Sequence, residues 1–301
     1  MIIFSRLGKK GNFGNHLFQI ASTMGIAIKN GHEFAFPKWK YATYFDYNFP
    51  LYDEQLSCQL IKENAYHYKN IELKDGNYDL NGWFQSEKYF NREAVRACFK
   101  FKPEIISDVK EKYKTVLFQK NILISVRRGD FVNHPYYFQL DYSYYFLGIV
   151  KNFPDWKERV LIFTSDDIDY CKKHFQFLPN AIFMEKSNLM EQLILGSLCD
   201  DFVISNSTFS WWLAWLGEKE GTKIIRPIQN FRGKFRAGNN DKDYFPDRWF
   251  AFNSEKETIE LKYWKLVIKG EVLKAFENIK YYYKFSVKEI KRFIKKIIGN
   301  K

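Results

Sequence analysis

Cysteine is scarce in this 301-residue chain, and its four copies stand far apart. Cys58, Cys98, Cys171 and Cys199 form no Cys-x-x-Cys pair and no Cys/His cluster. That pattern argues against a disulfide frame or a zinc site and for buried thiols in a reducing compartment. No run of 18 apolar residues occurs, so no membrane-spanning helix is expected. Arg6, Lys9 and Lys10 interrupt the short apolar start, so a signal peptide is not expected and a cytoplasmic location is. Basic charge is sparse where a nucleic-acid reader would need it. The net charge is +12, but residues 262–301 hold twelve Lys/Arg against Glu271, Glu277 and Glu289, a net +9, which leaves +3 for the other 261 residues. The charge belongs to a tail, and no nucleic-acid partner is expected.

Aromatic residues, by contrast, make up 19% of the chain, which excludes disorder and gives ample core for one large or two modest domains. The opening reads as a βαβ unit: a strand at Met1–Leu7, a glycine-rich turn at Gly8–Asn15, a helix at His16–Lys29 and a second strand at Glu33–Phe36. The turn lacks the full G-x-G-x-x-G spacing of a dinucleotide fold, but Gly14 lets backbone approach a ligand, and Asn15 and His16 offer donors at the helix start. Residues 37–75 are aromatic and irregular. Trp39, Tyr41 and Trp83 could stack on sugar faces, or the segment could pack on itself.

From residue 121 onward the chain repeats strand, polar turn and helix, which indicates a parallel sheet covered on both faces. The predicted strands are Asn121–Val126, Arg159–Phe163, Phe202–Ile204 and Lys223–Arg226; the predicted helices include Tyr142–Phe153, Asp169–Phe175 and Leu189–Leu198. The first strand runs into Arg127-Arg128-Gly129-Asp130. Two arginines at a strand's carboxyl end suit bidentate capture of an anion, with Asp130 orienting an arginine or taking a proton; a surface ion pair is the plainer alternative. Asp166 and Asp167 follow the next strand, with Asp166 expected to cap the helix. Asn206-Ser207-Thr208-Phe209-Ser210 follow the third and start a helix carrying Trp211, Trp212 and Trp215. Hydroxyls at a helix start cap it, and they can also bind phosphate. Two Asp-x-Asp matches, Asp167–Asp169 and Asp241–Asp243, are discounted as metal sites: the first starts a helix and the second sits in a polar loop. Residues 229–244 read as a glycine- and charge-rich loop that could serve as a lid. Residues 255–301 read as helical, with Val287, Ile290, Ile294, Ile297 and Ile298 on one face and Lys288, Lys291, Arg292, Lys295 and Lys296 largely on the other. Such a tail fits an anionic membrane surface, or a terminal helix docked on the body.

Five blocks together resemble glycosyltransferase family 11, the α-1,2-fucosyltransferases. They are Gly11–Gln19, Gly82–Phe90, Val126–Phe131, Phe163–Ile168 and Ser205–Leu216, in family order across residues 1–250. The resemblance implies a GT-B-like α/β fold of two Rossmann-like domains facing across a cleft. The division expected is 1–118 on the acceptor side, 119–254 on the donor side and a helical tail over 255–301. It further implies inverting transfer of L-fucose from GDP-β-L-fucose to an oligosaccharide or glycolipid, without a cofactor or metal. Carried onto this chain, the catalytic candidates are Arg127, Asp130 and His16. The donor-binding candidates are Gly14, Asn15, His16, Arg127, Asp166, Asp167, Glu191, Asn206, Ser207, Thr208, Phe209 and Ser210; Trp39, Tyr41 and Trp83 are the acceptor-side candidates. The chain departs from the family pattern at Ser125, where His is usual, at His16, where Gln is usual, and at Gln192, which with Glu191 stands where an Asp is common. Another GDP-deoxyhexose as donor, or a glycan-binding protein without catalysis, are the alternatives.

Overall fold

The computed structural model describes residues 1–298, with the side chains of most residues up to Lys291. The first half runs β1 (Ile2–Ile3), α1 (Phe13–Lys29), β2 (Phe34–Ala35), β3 (Gln59–Lys62) and β4 (Tyr78–Asn81), then α2 (Arg92–Cys98), α3 (Pro103–Lys112) and α4 (Lys114–Leu117). The second half runs β5 (Asn121–Val126), α5 (Tyr142–Asn152), β6 (Val160–Ser165), α6 (Ile168–Phe175), β7 (Ala181–Phe183), α7 (Leu189–Leu198), β8 (Asp201–Ile204), α8 (Thr208–Gly217), β9 (Ile224–Pro227), α9 (Gly233–Gly238) and β10 (Phe250–Phe252). The helix α10 (Trp264–Ile298) follows.

Every described strand pairing is parallel. The first sheet has the order β2-β1-β4-β3 and the second β10-β9-β8-β5-β6-β7. In the second, the chain starts in the middle at β5, runs outward to β7, then returns to lay β8 against the other side of β5. That reversal is the switch point at which doubly wound sheets bind ligands, outside the strands' carboxyl ends. Val126 and Ile204, the last residues of β5 and β8, deliver Arg127 and Ser205-Asn206-Ser207 to it.

The period-2 alternation of a strand divides the second sheet between two cores. Ile122, Ile124 and Val126 of β5 face α5 and α6, while Leu123 faces the other way with Ile162, Phe202 and Ile204. This second face is continuous with the core of the first sheet, because α1 and α8 pack together. Phe18 of α1 sits 4.6 Å from Trp211 and 5.2 Å from Trp212, ring centre to centre, and all three tryptophans of α8 are fully buried. Truncating any one of them would cost about 3–5 kcal/mol. The two Rossmann-like sheets thus face each other over a cleft but share one core beneath it. Charge reinforces the junction. Arg248 binds both Glu87 and Glu218, and Trp215 and Trp249 donate their indole N–H groups to the same two carboxylates.

Three readings that the sequence left open are resolved. The aromatic segment after α1 packs largely on itself, with Trp39, Phe45 and Phe49 buried face to face or edge to face. Loop 229–244 is tied down: Asp241 accepts the N–H groups of Asn230 and Phe231, Arg232 donates to the His134 carbonyl, and α9 forms within it. The last helix docks by one face, with Leu266 buried, Tyr142 donating to Glu271 and Lys274 donating to Asp141. Of the tail residues assigned faces above, the side chains of Lys288, Arg292, Ile294, Lys295, Lys296, Ile297 and Ile298 lie outside the described residues.

Candidate active site

A cavity of about 600 Å³ opens between the two sheets at the switch point. Two helix starts meet there. α1 begins after Asn12 and α8 after Ser207, whose hydroxyl accepts the Phe209 N–H at 3.3 Å. Gly14, Asn15, Ser207, Thr208 and Phe209 all line the cavity. The first-turn N–H groups of Gly14 and Thr208 and the positive ends of two helix dipoles therefore converge on one volume. Gly14 permits this approach, since a Cβ there would lie 2.6 Å from the Thr208 backbone carbon and Oγ1.

Arg127 projects from the end of β5 into the same cavity. Its guanidinium donates to Asp130 at 2.5 Å and pairs with Asp166 at 3.1 Å, while its Nε has no partner. Asp166 also accepts the Arg128 N–H at 2.8 Å, so a carboxylate anchored to the backbone fixes one side of the fork. Gly129 leaves room beside it, because a Cβ there would displace the Asp166 carboxylate. Asp130 is 63% exposed and open to the cavity mouth. The adjacent arginine has a different fate. Arg128 is buried, stacks over Tyr170 with its guanidinium carbon 3.9 Å from the ring centre, and pairs with Glu277 of α10.

The floor is a chain of buried hydroxyls. Ser125 and Ser205 each lie 2.7 Å from the Ser210 hydroxyl, and Ser205 accepts the Ser207 N–H at 3.3 Å. Asn206 is held by donating to the Phe138 and Asn230 carbonyls, while its own carbonyl accepts from Tyr244. Thr164 donates to Gln192, and both line the cavity. On the opposite wall stand Tyr41 and Trp83. Half-buried Glu63 accepts the N–H groups of Trp83 and Phe84 at 2.6 and 2.8 Å, holding a turn in which Phe84 adopts φ +48°. Burial raises the Glu63 pKa, and the two N–H groups oppose that rise.

Several expected residues lie elsewhere. His16 is 5% exposed and turns away from the cavity to accept the Trp39 indole N–H at 3.4 Å, and its pKa is lowered by burial, with the Gly11 carbonyl acting against that shift. Trp39 is consumed by the core between Phe13, Phe45 and Phe49, which leaves no face for a sugar. Asp167, not Asp166, caps α6 by accepting the Tyr170 N–H at 3.1 Å, and it does not line the cavity. Glu191 points outward from α7 to Lys112 and Tyr113, and Gln192, one residue further round the helix, faces the cavity instead. Four of the expected residues are therefore away from the cavity. Gly14, Asn15, Tyr41, Trp83, Arg127, Asp130, Asp166 and Asn206 to Ser210 are brought together.

The sequence reading missed an aromatic rim. Phe131 and Tyr137 stack at 4.1 Å, Tyr136 and Phe235 at 4.3 Å, and Tyr66 meets Phe231 at 5.0 Å. A signal was present for part of it: Phe131, Tyr136 and Tyr137 follow directly on the arginine motif, and Phe231 and Phe235 sit at helical spacing. Nothing local marks Tyr66. Among the described residues, no three His, Cys, Asp or Glu side chains are grouped as a metal site.

Comparison with known proteins agrees with this architecture. An O-antigen biosynthesis glycosyltransferase, WbnK, from Escherichia coli is 28% identical over 192 residues, 60% of this chain and 62% of its own length. An α-1,2-colitosyltransferase from the same organism is 27% identical over 184 residues, 58% of this chain and 62% of its own. The matched stretch thus spans about three fifths of either relative. Among solved structures, NodZ α-1,6-fucosyltransferase co-crystallized with GDP gives a TM-score of 0.50 at 14% identity, covering 70% of this chain and 90% of that one. A variant of FUT1 from Arabidopsis thaliana in complex with GDP gives 0.50 at 14% identity, covering 85% of this chain and 77% of that one. At that identity the likeness is one of fold, and the fold is the GT-B arrangement. Residues 9–252 match the sequence model of glycosyl transferase family 11, and the chain belongs to that family.

Proposed function

We propose that this protein moves L-fucose from GDP-β-L-fucose to a hydroxyl of a glycan, the 2-OH of a terminal β-galactoside, with inversion at the sugar carbon and without a metal. The observation that carries the reading is the convergence of two helix N-termini and Arg127 on one cavity at the switch point. Breaking the sugar–phosphate bond builds negative charge on the departing diphosphate, and fixed donors already aimed there stabilise it without reorganisation. The division follows the sheets. Residues 119–254 hold the donor through Arg127, Asp166, Gln192 and Asn206 to Ser210. Residues 1–118 present Asn15, Tyr41 and Trp83, the latter two to an oligosaccharide or glycolipid acceptor at the cytoplasmic face of the membrane.

Asp130 is the proposed base. In the unliganded site it is tied to Arg127. A diphosphate arriving at the exposed side of that guanidinium competes for the same N–H groups and frees the carboxylate to face the acceptor hydroxyl. His16 is withdrawn from this role because it is buried on the face of α1 that packs against Trp39. The departing diphosphate is the alternative proton acceptor.

Incubation with GDP-fucose and a panel of β-galactosides in EDTA, read by product mass and GDP release, tests the reading. A product heavier by one deoxyhexose is expected. Asp130→Asn should lower kcat by about 10²-fold or more while leaving GDP affinity nearly unchanged; loss of affinity alone would make Asp130 an orienter of Arg127. The colitosyltransferase relative favours a second reading, another GDP-deoxyhexose in the same site. Donor competition separates the two, and tight glycan binding with no transfer from any GDP-sugar would leave a glycan-binding protein.

A further inference from the structure

The helix α10 has two unlike faces along its length. Its inner face is docked: Leu266 is buried, a Cβ on Gly270 would collide with the Tyr142 ring, Leu273 packs against the second core, and Glu277 reaches Arg128. Its outer face carries Trp264, Ile268, Val272, Phe276, Ile279, Tyr283 and Ile290, each half or more exposed, with Phe276 and Ile279 at 65%. Their spacing of mostly three or four places them in one apolar stripe about 120° wide at 100° per residue, over roughly seven turns. A contiguous apolar face of this size on a protein surface marks an interaction site.

Charge selects the occupant. Residues 262–301 carry a net +9. Two of the three glutamates there are bonded to the body, Glu277 on Arg128 and the half-exposed Glu271 accepting from Tyr142. Exposed Lys280 borders the stripe, and exposed Lys265 lies within its arc at the amino end. Trp264, Tyr282 and Tyr283 add the amphipathic rings that favour a membrane–water boundary. A second copy of the same stripe would bring two +9 tails together, whereas an anionic surface meets them favourably. Among the described residues no helix is long and apolar enough to cross a membrane. We infer that the outer face of α10 lies flat in the headgroup region of an anionic lipid surface, with the transferase body held against it by the inner face. This goes beyond the proposed transfer reaction and does not depend on it.

The test is co-sedimentation of the full chain with vesicles of phosphatidylcholine and phosphatidylglycerol, against phosphatidylcholine alone, at low and high salt. The wild type should pellet with the anionic vesicles and less so at high salt, since screening weakens the basic contribution. Ile268→Glu combined with Phe276→Glu should lower partitioning by about tenfold or more, because charge is placed in the apolar face. Both residues are exposed, so an unchanged melting temperature and unchanged GDP affinity certify that the variant is folded. No binding to anionic vesicles, or equal binding by the double variant, overturns the inference. A lipid-free dimer in sedimentation velocity that the double variant splits, with no vesicle binding, assigns the stripe to a second copy.

Discussion

The two walls of the cavity are built from different materials. Beneath its aromatic rim, the wall from the second sheet is polar and closed. Ser125, Ser205 and Ser210 are nearly inaccessible and bonded to one another, Asn206 is gripped by two carbonyls, and Arg127 is held between two carboxylates. The wall from the first sheet is aromatic and half open. Tyr41, Tyr66 and Trp83 present ring surface, and their orientation comes from backbone anchors such as Glu63 rather than from side-chain networks. A buried, largely bonded polar wall suits a ligand part that never changes, since an unmatched polar group there is costly. Ring faces tolerate variation in what they stack on. On the proposed function, the nucleotide diphosphate goes to one wall and the variable glycan to the other.

Substitutions that break each wall should have different kinetic signatures. The largest loss is expected from Arg127. Its replacement by Ala should lower turnover by roughly 10²–10³-fold, the size of one preorganised donor, and Lys should rescue poorly because it lacks the planar fork. Steady-state kinetics with donor and acceptor varied separately would check that the acceptor KM barely moves. Next comes Gly14→Ala, which drives a methyl into Thr208 where the two helix starts touch. Overpacking of that kind costs about 1–3 kcal/mol, so the melting temperature should fall by several degrees and GDP affinity should fall with it. Trp83→Ala should leave GDP binding intact and raise the acceptor KM by about 2- to 10-fold, the scale of one aromatic contact. A donor-side defect in that variant would erase the contrast between the walls.

The smallest expected effect is on the pH profile of stability. Burial lowers the pKa values of His16 and His174. The unfolded chain therefore takes up protons first as pH falls. The stability held by these neutral rings is fully present above about pH 6.5, the ordinary histidine value, and is lost as pH drops from there through their folded pKa values. Thermal melts across that range should show the decline, and His16→Gln should make it shallower.

The contrast between the walls also explains what the sequence disclosed. Asn121–Val126, Leu189–Leu198 and the helix after Ser207 were legible within a residue, because long apolar runs bounded by polar turns leave little choice of element. The short strands β3, β7 and β10 were not, since three or four residues are too few to show a period. The polar wall was readable as motifs because its residues are consecutive at strand ends. The aromatic wall was not, because residue type does not distinguish a ring facing a cavity from one facing a core. Trp39 and Trp83 differ only in where the fold sends them. Glu191 and Gln192 illustrate a finer limit, a single step of about 100° around one helix. Asp166 and Asp167 exchanged roles for the same reason at a helix start.

The central claim is that the polar wall holds a GDP-sugar by its diphosphate through Arg127 and two helix N-termini. Calorimetric titration of GDP in EDTA, into the wild type and Arg127→Ala, addresses it most directly. The account predicts a single site in the wild type and affinity lower by about tenfold or more in the variant, the scale of one charge-assisted contact. An absence of GDP binding to the folded wild type, or equal affinity in both proteins, would contradict it.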